Sequence, residues 1–271
     1  MKHILLSILT IALILTSCGG GAGKGTFTEE ELLLRSGDKQ VYGILYRPDG
    51  VKKAPLVIFS HGFNGTHQFG EPYAKALAAK GYAVYCYDFC GGSVASRSEG
   101  KTTEMSIFTE AEDLKAVMDA LKAQTFIDPN RIILIGESQG GMVSALVGAE
   151  RRSEIERLIL IYPAFCIKDD WVKMFPKLDD MPEVVDFWGV NLGHTYLEGL
   201  YDLDVYGTII QYEGPVEIFH GDADMVVNVN YSKQAEKAYK DARLTIFPGE
   251  GHGFSAPIQE KVIEAICELL K

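Results

Sequence analysis

The string Gly136-Glu137-Ser138-Gln139-Gly140-Gly141 restricts the fold of this chain more than any other feature. It follows the short apolar run Arg131–Ile135 and leads at once into a helix-length apolar run, 139–150. A chain passes from strand to helix that abruptly only through a very tight turn, which lifts the residue at its apex clear of the sheet. Here that residue is Ser138. Gly136 and Gly140, two residues to either side, carry no side chain that would collide across the turn. The helix starting beneath Ser138 aims its N-terminus at any negative charge that develops there.

Similar apolar, β-branched or aromatic runs recur at 55–60, 82–87, 157–162, 215–219 and 243–247. Helical patterns lie between them at 72–80, 105–123, 139–150, 231–240 and 257–270. In the second of these, Ile107, Ala111, Leu114, Val117, Met118 and Leu121 form one apolar stripe. Ahead of them, residues 27–48 alternate with period two about Ser36-Gly37-Asp38, the pattern of an antiparallel hairpin. This alternation predicts an α/β fold, a mostly parallel sheet flanked by helices on both faces. One connection is far too long for that rhythm: 52 residues, 163–214, separate two strands. A structureless loop of that length is uncommon in a compact domain, so the segment is expected to be an inserted cap subdomain. It holds nine aromatic residues and both tryptophans of the chain. They either fill the cap's own core or roof a pocket, and Trp171, Trp188, Tyr196 and Tyr201 are the candidates for contact with a substrate.

A serine hydroxyl is a weak nucleophile until a base takes its proton. Of six histidines, His252 lies just past the last predicted strand, in Gly249-Glu250-Gly251-His252-Gly253-Phe254. Its flanking glycines would let the loop carry the ring to Ser138. Two acids compete for the third place, Asp222 and Asp224, in His220-Gly221-Asp222-Ala223-Asp224-Met225-Val226-Val227. His61-Gly62-Phe63 follows another predicted strand end. His61, His67, His194 and His220 are read as packing or surface residues, and His3 sits in the N-terminal segment treated next.

Residues 1–18 begin with a basic Lys2 and continue through the apolar run Ile4–Leu15, shorter than a bilayer span and laid out like a secretory signal. Leu15-Thr16-Ser17-Cys18 resembles the lipobox of bacterial lipoproteins. The resemblance implies a signal peptide over 1–17, lipidation of Cys18, a flexible glycine-rich tether over 18–26, and anchoring in a bacterial cell envelope. A net charge of −11 argues against a nucleic-acid partner. Cys86, Cys90, Cys166 and Cys267 have no metal-ligand spacing, and no phosphate loop or histidine-rich metal motif occurs, so neither metal nor cofactor is expected.

Six segments, HGFNG (61–65), YDFCGGSVASRSEG (87–100), GESQGG (136–141), YPA (162–164), HGDADMVV (220–227) and GEGHGF (249–254), carry a resemblance to the α/β-hydrolase superfamily. It covers 27–271, and within the superfamily the chain resembles the small cinnamoyl/feruloyl esterases and their carboxylesterase relatives. At Phe89-Cys90-Gly91-Gly92-Ser93 it departs from the family by lacking a histidine. The resemblance implies an eight-stranded-type sheet with a cap. It further implies a catalytic triad of Ser138, Asp224 and His252, and an oxyanion hole from the Phe63 and Gln139 backbone N–H groups. Asp224 is favoured because it matches an Asp-x-x-Val pattern ending at Val227, leaving Asp222 to the turn. The implied activity is serine carboxylester hydrolysis of a small-molecule or glycan-linked ester, with hydroxycinnamoyl esters as one substrate class. The alternatives are an aminopeptidase or acyl-peptidase, for which Asp169-Asp170 or Asp179-Asp180 could hold a substrate amine, and a non-catalytic binding lipoprotein.

Overall fold

The computed structural model describes residues 25–271. The signal segment, Cys18 and most of the glycine-rich tether lie outside the described residues.

Two strands, β1 (Phe27–Ser36) and β2 (Lys39–Pro48), form the hairpin, turning at Gly37-Asp38 with Gly37 at φ 58°. Then follow β3 (Ala54–Ser60), α1 (Glu71–Ala78), β4 (Ala83–Tyr87), α2 (Ile107–Lys122), β5 (Ile127–Glu137), α3 (Gln139–Glu150) and β6 (Arg157–Ile161). The chain next runs through α4 (Ile167–Met174), the paired short strands β7 (Val184–Phe187) and β8 (Val190–Gly193), and α5 (Val205–Ile209). It closes with β9 (Val216–Gly221), α6 (Asn230–Ala238), β10 (Ala242–Phe247) and α7 (Ala256–Leu269). The main sheet has eight strands in the order β1-β2-β4-β3-β5-β6-β9-β10. Only β2 runs against its neighbours; every pairing from β4 to β10 is parallel.

Period-two burial sorts the central strands onto two cores. Leu56 and Ile58, Ile132 and Leu134, and Leu158 and Leu160 face the side covered by α2 and α3. Val57 and Phe59, Ile133 and Ile135, and Ile159 and Ile161 face α1 and α7. That double burial is why these strands read as unbroken apolar runs. Helix α3 is buried on every face from Gln139 to Ala149, so it is the pillar on which the turn at Ser138 stands. Helix α2 begins with a reciprocal cap. Thr109 N–H donates to Ser106 Oγ at 3.2 Å, and Ser106 N–H donates to Thr109 Oγ1 at 2.8 Å. Sequence and structure differ mainly at β5, where the strand begins four residues before Arg131 and takes in Asp128-Pro129-Asn130.

Candidate active site

The turn between β5 and α3 places Ser138 at φ 51° and ψ −119°, a left-handed conformation that costs a non-glycine residue free energy. Its surroundings hold it there. A Cβ on Gly136 would overlap Gly140 O, and one on Gly140 would overlap the carbonyl oxygens of Ser60 and His61. The start of α3 therefore sits directly against the end of β3. Gly62 is equally close on the other side, where a Cβ would stand 3.0 Å from Ser138 Cβ and 3.6 Å from its Oγ. That brings the Gly62-Phe63 backbone beside the hydroxyl, while Gln139 opens α3, where no preceding turn supplies its N–H with a carbonyl.

His252 comes from the loop after β10, and its Nε2 lies 2.9 Å from Ser138 Oγ. Its Nδ1 lies 2.7 Å from Asp224 Oδ2. Asp224 Oδ1 accepts from the Val226 and Val227 N–H groups at 2.8 Å each. Burial would raise the Asp224 carboxyl, but donation from His220, His252 and the Val227 amide outweighs it and holds the group well below the usual carboxylate range. Asp222 has a different part. Its Oδ1 accepts from the Gly249 N–H at 2.6 Å and so ties the β9 loop to the segment carrying His252.

The remaining histidines are held away from Ser138. His61 Nε2 accepts from Phe89 N–H at 3.2 Å while Nδ1 bonds Gly62 O at 2.7 Å, and burial lowers its pKa to about 4, so it is a neutral brace for this loop. His67 Nδ1 bonds Asp88 Oδ1 at 2.8 Å, and His194 Nε2 bonds Met181 O at 2.9 Å. His220 is more than a packing residue. Fully buried, it bonds Val227 O at 2.9 Å through Nε2, which also lies 3.3 Å from Asp224 Oδ2. No spacing rule separates such a histidine from one that merely fills a strand end, and its place four residues before Asp224 is the one signal the sequence holds.

Ser138 opens on a cavity of about 530 Å³ between the strand ends and the β6–β9 connection. Trp171, Trp188 and Tyr196 line it together with Phe63, Phe187, Met174, Met225 and Val226. Trp171 is buried and lies 4.6 Å from the Tyr196 ring, whereas Trp188 is 66% exposed at the mouth and stacks on Phe187. Tyr201 does not line the cavity; its hydroxyl donates to Phe175 O at 2.9 Å, within the connection itself. Of the acidic pairs, Asp170 reaches the cavity beside Lys173, and Asp169 instead accepts from Tyr231 at 2.9 Å. Sequence reasoning missed Met174, three residues after Trp171 on α4, and Met225-Val226, next to Asp224; those spacings are the signal that could have found them. Among the described residues no cluster of three or more His, Cys, Asp or Glu side chains is disposed to hold a metal ion.

Known proteins resemble this chain to differing extents. The family described as Hydrolase_4, "Serine aminopeptidase, S33", matches residues 52–199, more than half the chain. The quorum-quenching protein AidA of Acinetobacter baumannii (strain MDR-ZJ06) is 32% identical over 108 residues, 39% of this chain and 34% of that protein. An uncharacterized peptidase, YuxL of Bacillus subtilis (strain 168), is 28% identical over 235 residues, 79% of this chain and 34% of that protein. The chain thus spans about a third of the length of either relative. Among solved structures, Est1E from Butyrivibrio proteoclasticus with ferulic acid bound superposes with a TM-score of 0.79 at 28% identity, covering 88% of this chain and 97% of that one.

Proposed function

The chain belongs to the Hydrolase_4 (serine aminopeptidase, S33) family, and from that premise we propose that this serine hydrolase of α/β fold is a carboxylesterase working through an acyl-enzyme. The observation that carries the proposal is the unbroken hydrogen-bonded line from Ser138 through His252 to Asp224, opening on an aromatic cavity. Ser138 Oγ attacks the ester carbonyl while His252 Nε2 takes its proton. Asp224 holds the imidazole with Nδ1 protonated, and the Phe63 and Gln139 N–H groups receive the oxyanion. His252 then returns the proton to the leaving alcohol, and water repeats the sequence on the acyl-enzyme.

The acyl group we propose is flat and conjugated, of the hydroxycinnamoyl type. Trp171, Phe187 and Tyr196 roof the cavity, and aromatic pairs contribute about 0.5–1.5 kcal/mol beyond buried area. The ferulic acid bound by Est1E supports the same reading. A second reading, peptidase action, is favoured by one observation: Asp170 offers the cavity a carboxylate able to meet a substrate ammonium. Comparing kcat/KM for methyl ferulate, methyl butyrate and an aminoacyl anilide separates the two readings. Ferulate should be preferred over butyrate in wild type, and Trp171→Ala should lower that preference several-fold. Preference for the anilide refutes the esterase assignment, and Ser138→Ala retaining most activity refutes the serine mechanism. The proposal includes a lipid anchor at Cys18 in a bacterial cell envelope, on the strength of the Leu15–Cys18 pattern.

A further inference from the structure

Three buried polar side chains form a line beside Ser138 that this reaction scheme leaves unused. Tyr196, from the β6–β9 connection, donates its hydroxyl to Gln139 Oε1 at 2.5 Å. Gln139 Nε2 in turn donates to Glu110 Oε2 on α2 at 2.8 Å. Their exposures are 2%, 1% and 1%, so each bond replaces water that cannot reach these groups. The Tyr196 ring also stands edge-on to Phe63, with centroids 6.2 Å apart. Tyr196 thus touches the side chains of Gln139 and Phe63, the two residues whose backbone N–H groups are the proposed oxyanion donors.

We propose that Tyr196 is a positioning residue that sets both oxyanion donors at once, with Glu110 bracing it through Gln139. The hydroxyl and the carboxyl grip the two ends of the Gln139 amide and so fix the backbone from which its N–H projects. The ring restrains the loop carrying Phe63. Buried polar groups satisfied in series specify a single arrangement, and here the arrangement joins α2, the start of α3 and the connection above the cavity. Burial pushes the Glu110 carboxyl well above the ordinary carboxylate range, which favours its uncharged form, and Glu110 serves here as an acceptor for Gln139 Nε2, a part that glutamine could also play. The Tyr196 hydroxyl is then committed to the protein rather than to the substrate.

The proposal rests on the acyl-transfer reading, and the experiment separates the two. Tyr196→Phe keeps the ring and removes the hydroxyl. It should lower kcat about tenfold or more with KM changed less than about twofold, because a displaced oxyanion donor matters only as charge develops. Affinity for an aryl boronic acid, which forms a tetrahedral adduct on Ser138, should fall with kcat. Affinity for the matching substrate ether, which has no carbonyl to enter the hole, should not change. Glu110→Leu should repeat this pattern, while Glu110→Gln should stay within about twofold of wild type. An unchanged kcat in Tyr196→Phe overturns the proposal, as does weaker ether binding at constant kcat, which would make the hydroxyl a substrate contact. Equal losses in Glu110→Leu and Glu110→Gln also overturn it. Failure of the wild-type protein to form the boronate adduct would instead overturn the acyl-transfer reading itself.

Discussion

Asp224→Asn tests the site most sharply, because the structure decides how the new amide must sit. Asp224 Oδ1 accepts two backbone N–H groups, from Val226 and Val227, at 2.8 Å each. An amide NH₂ there would leave both backbone donors unsatisfied, whereas at the Oδ2 place His220 Nε2 keeps Val227 O as its acceptor, so the amide oxygen takes the Oδ1 place. The NH₂ then occupies the Oδ2 position, 2.7 Å from His252 Nδ1. A donor there forces the imidazole to accept through Nδ1 and carry its proton on Nε2, the atom that faces Ser138 at 2.9 Å. A histidine in that tautomer cannot take the serine proton. Reversing the tautomer in a serine triad lowers kcat by about 10⁴, equivalent to about 5.4 kcal/mol, and a loss of that order is expected here. Asp222→Asn keeps an oxygen for the Gly249 N–H and should cost less than about tenfold. Initial rates on a nitrophenyl ester would measure both, with melting curves to show that each variant is folded. If Asp224→Asn stays within about tenfold of wild type, the tautomer argument fails; if Asp222→Asn is the more damaging, the acid has been misassigned.

Three other outcomes follow from the same geometry. Gly140→Ala drives a methyl into the Ser60 and His61 carbonyl oxygens, so it should lower both stability, by about 1–3 kcal/mol, and activity, as read by denaturant melts and ester turnover. Burial raises the Glu137 carboxyl from 4.5 to about 7, only partly opposed by the Tyr162 hydroxyl bond. The unfolded chain therefore releases this proton first, and stability falls as pH rises from 4.5 to about 7. Glu137→Gln should remove that slope, matching wild type at about pH 4 and exceeding it by on the order of 3 kcal/mol at about pH 8 in urea melts. Cys18→Ser should abolish incorporation of labelled fatty acid, and equal labelling of both proteins would refute the anchor.

The parts of this molecule that sequence reveals are those governed by local rules. Runs such as Leu56–Phe59 and Ile132–Ile135 are apolar at every position because both faces of the sheet are covered, and that leaves a plain mark in the sequence. Gly136 and Gly140 mark the turn at Ser138 because only a missing side chain fits against the neighbouring carbonyl groups. The parts that stay hidden depend on contacts between distant segments. Tyr201 and Tyr196 are five residues apart in one aromatic-rich stretch, yet one bonds Phe175 O and the other bonds Gln139. Composition treats them alike; only the path of the connection separates them. Glu110 is similar, since it lies beside the exposed-looking Glu112 in an amphipathic helix, and nothing in that pattern says that Gln139, 29 residues on, will meet its carboxyl. His220 differs from these two: it lies only four residues before Asp224, but that spacing alone does not say that the loop folds back to bring the two side chains together. Chemistry at the serine is thus written in short motifs, whereas the shell that orients it is written in long-range contacts. Substitutions in that shell should accordingly alter rates more than their positions in the sequence suggest.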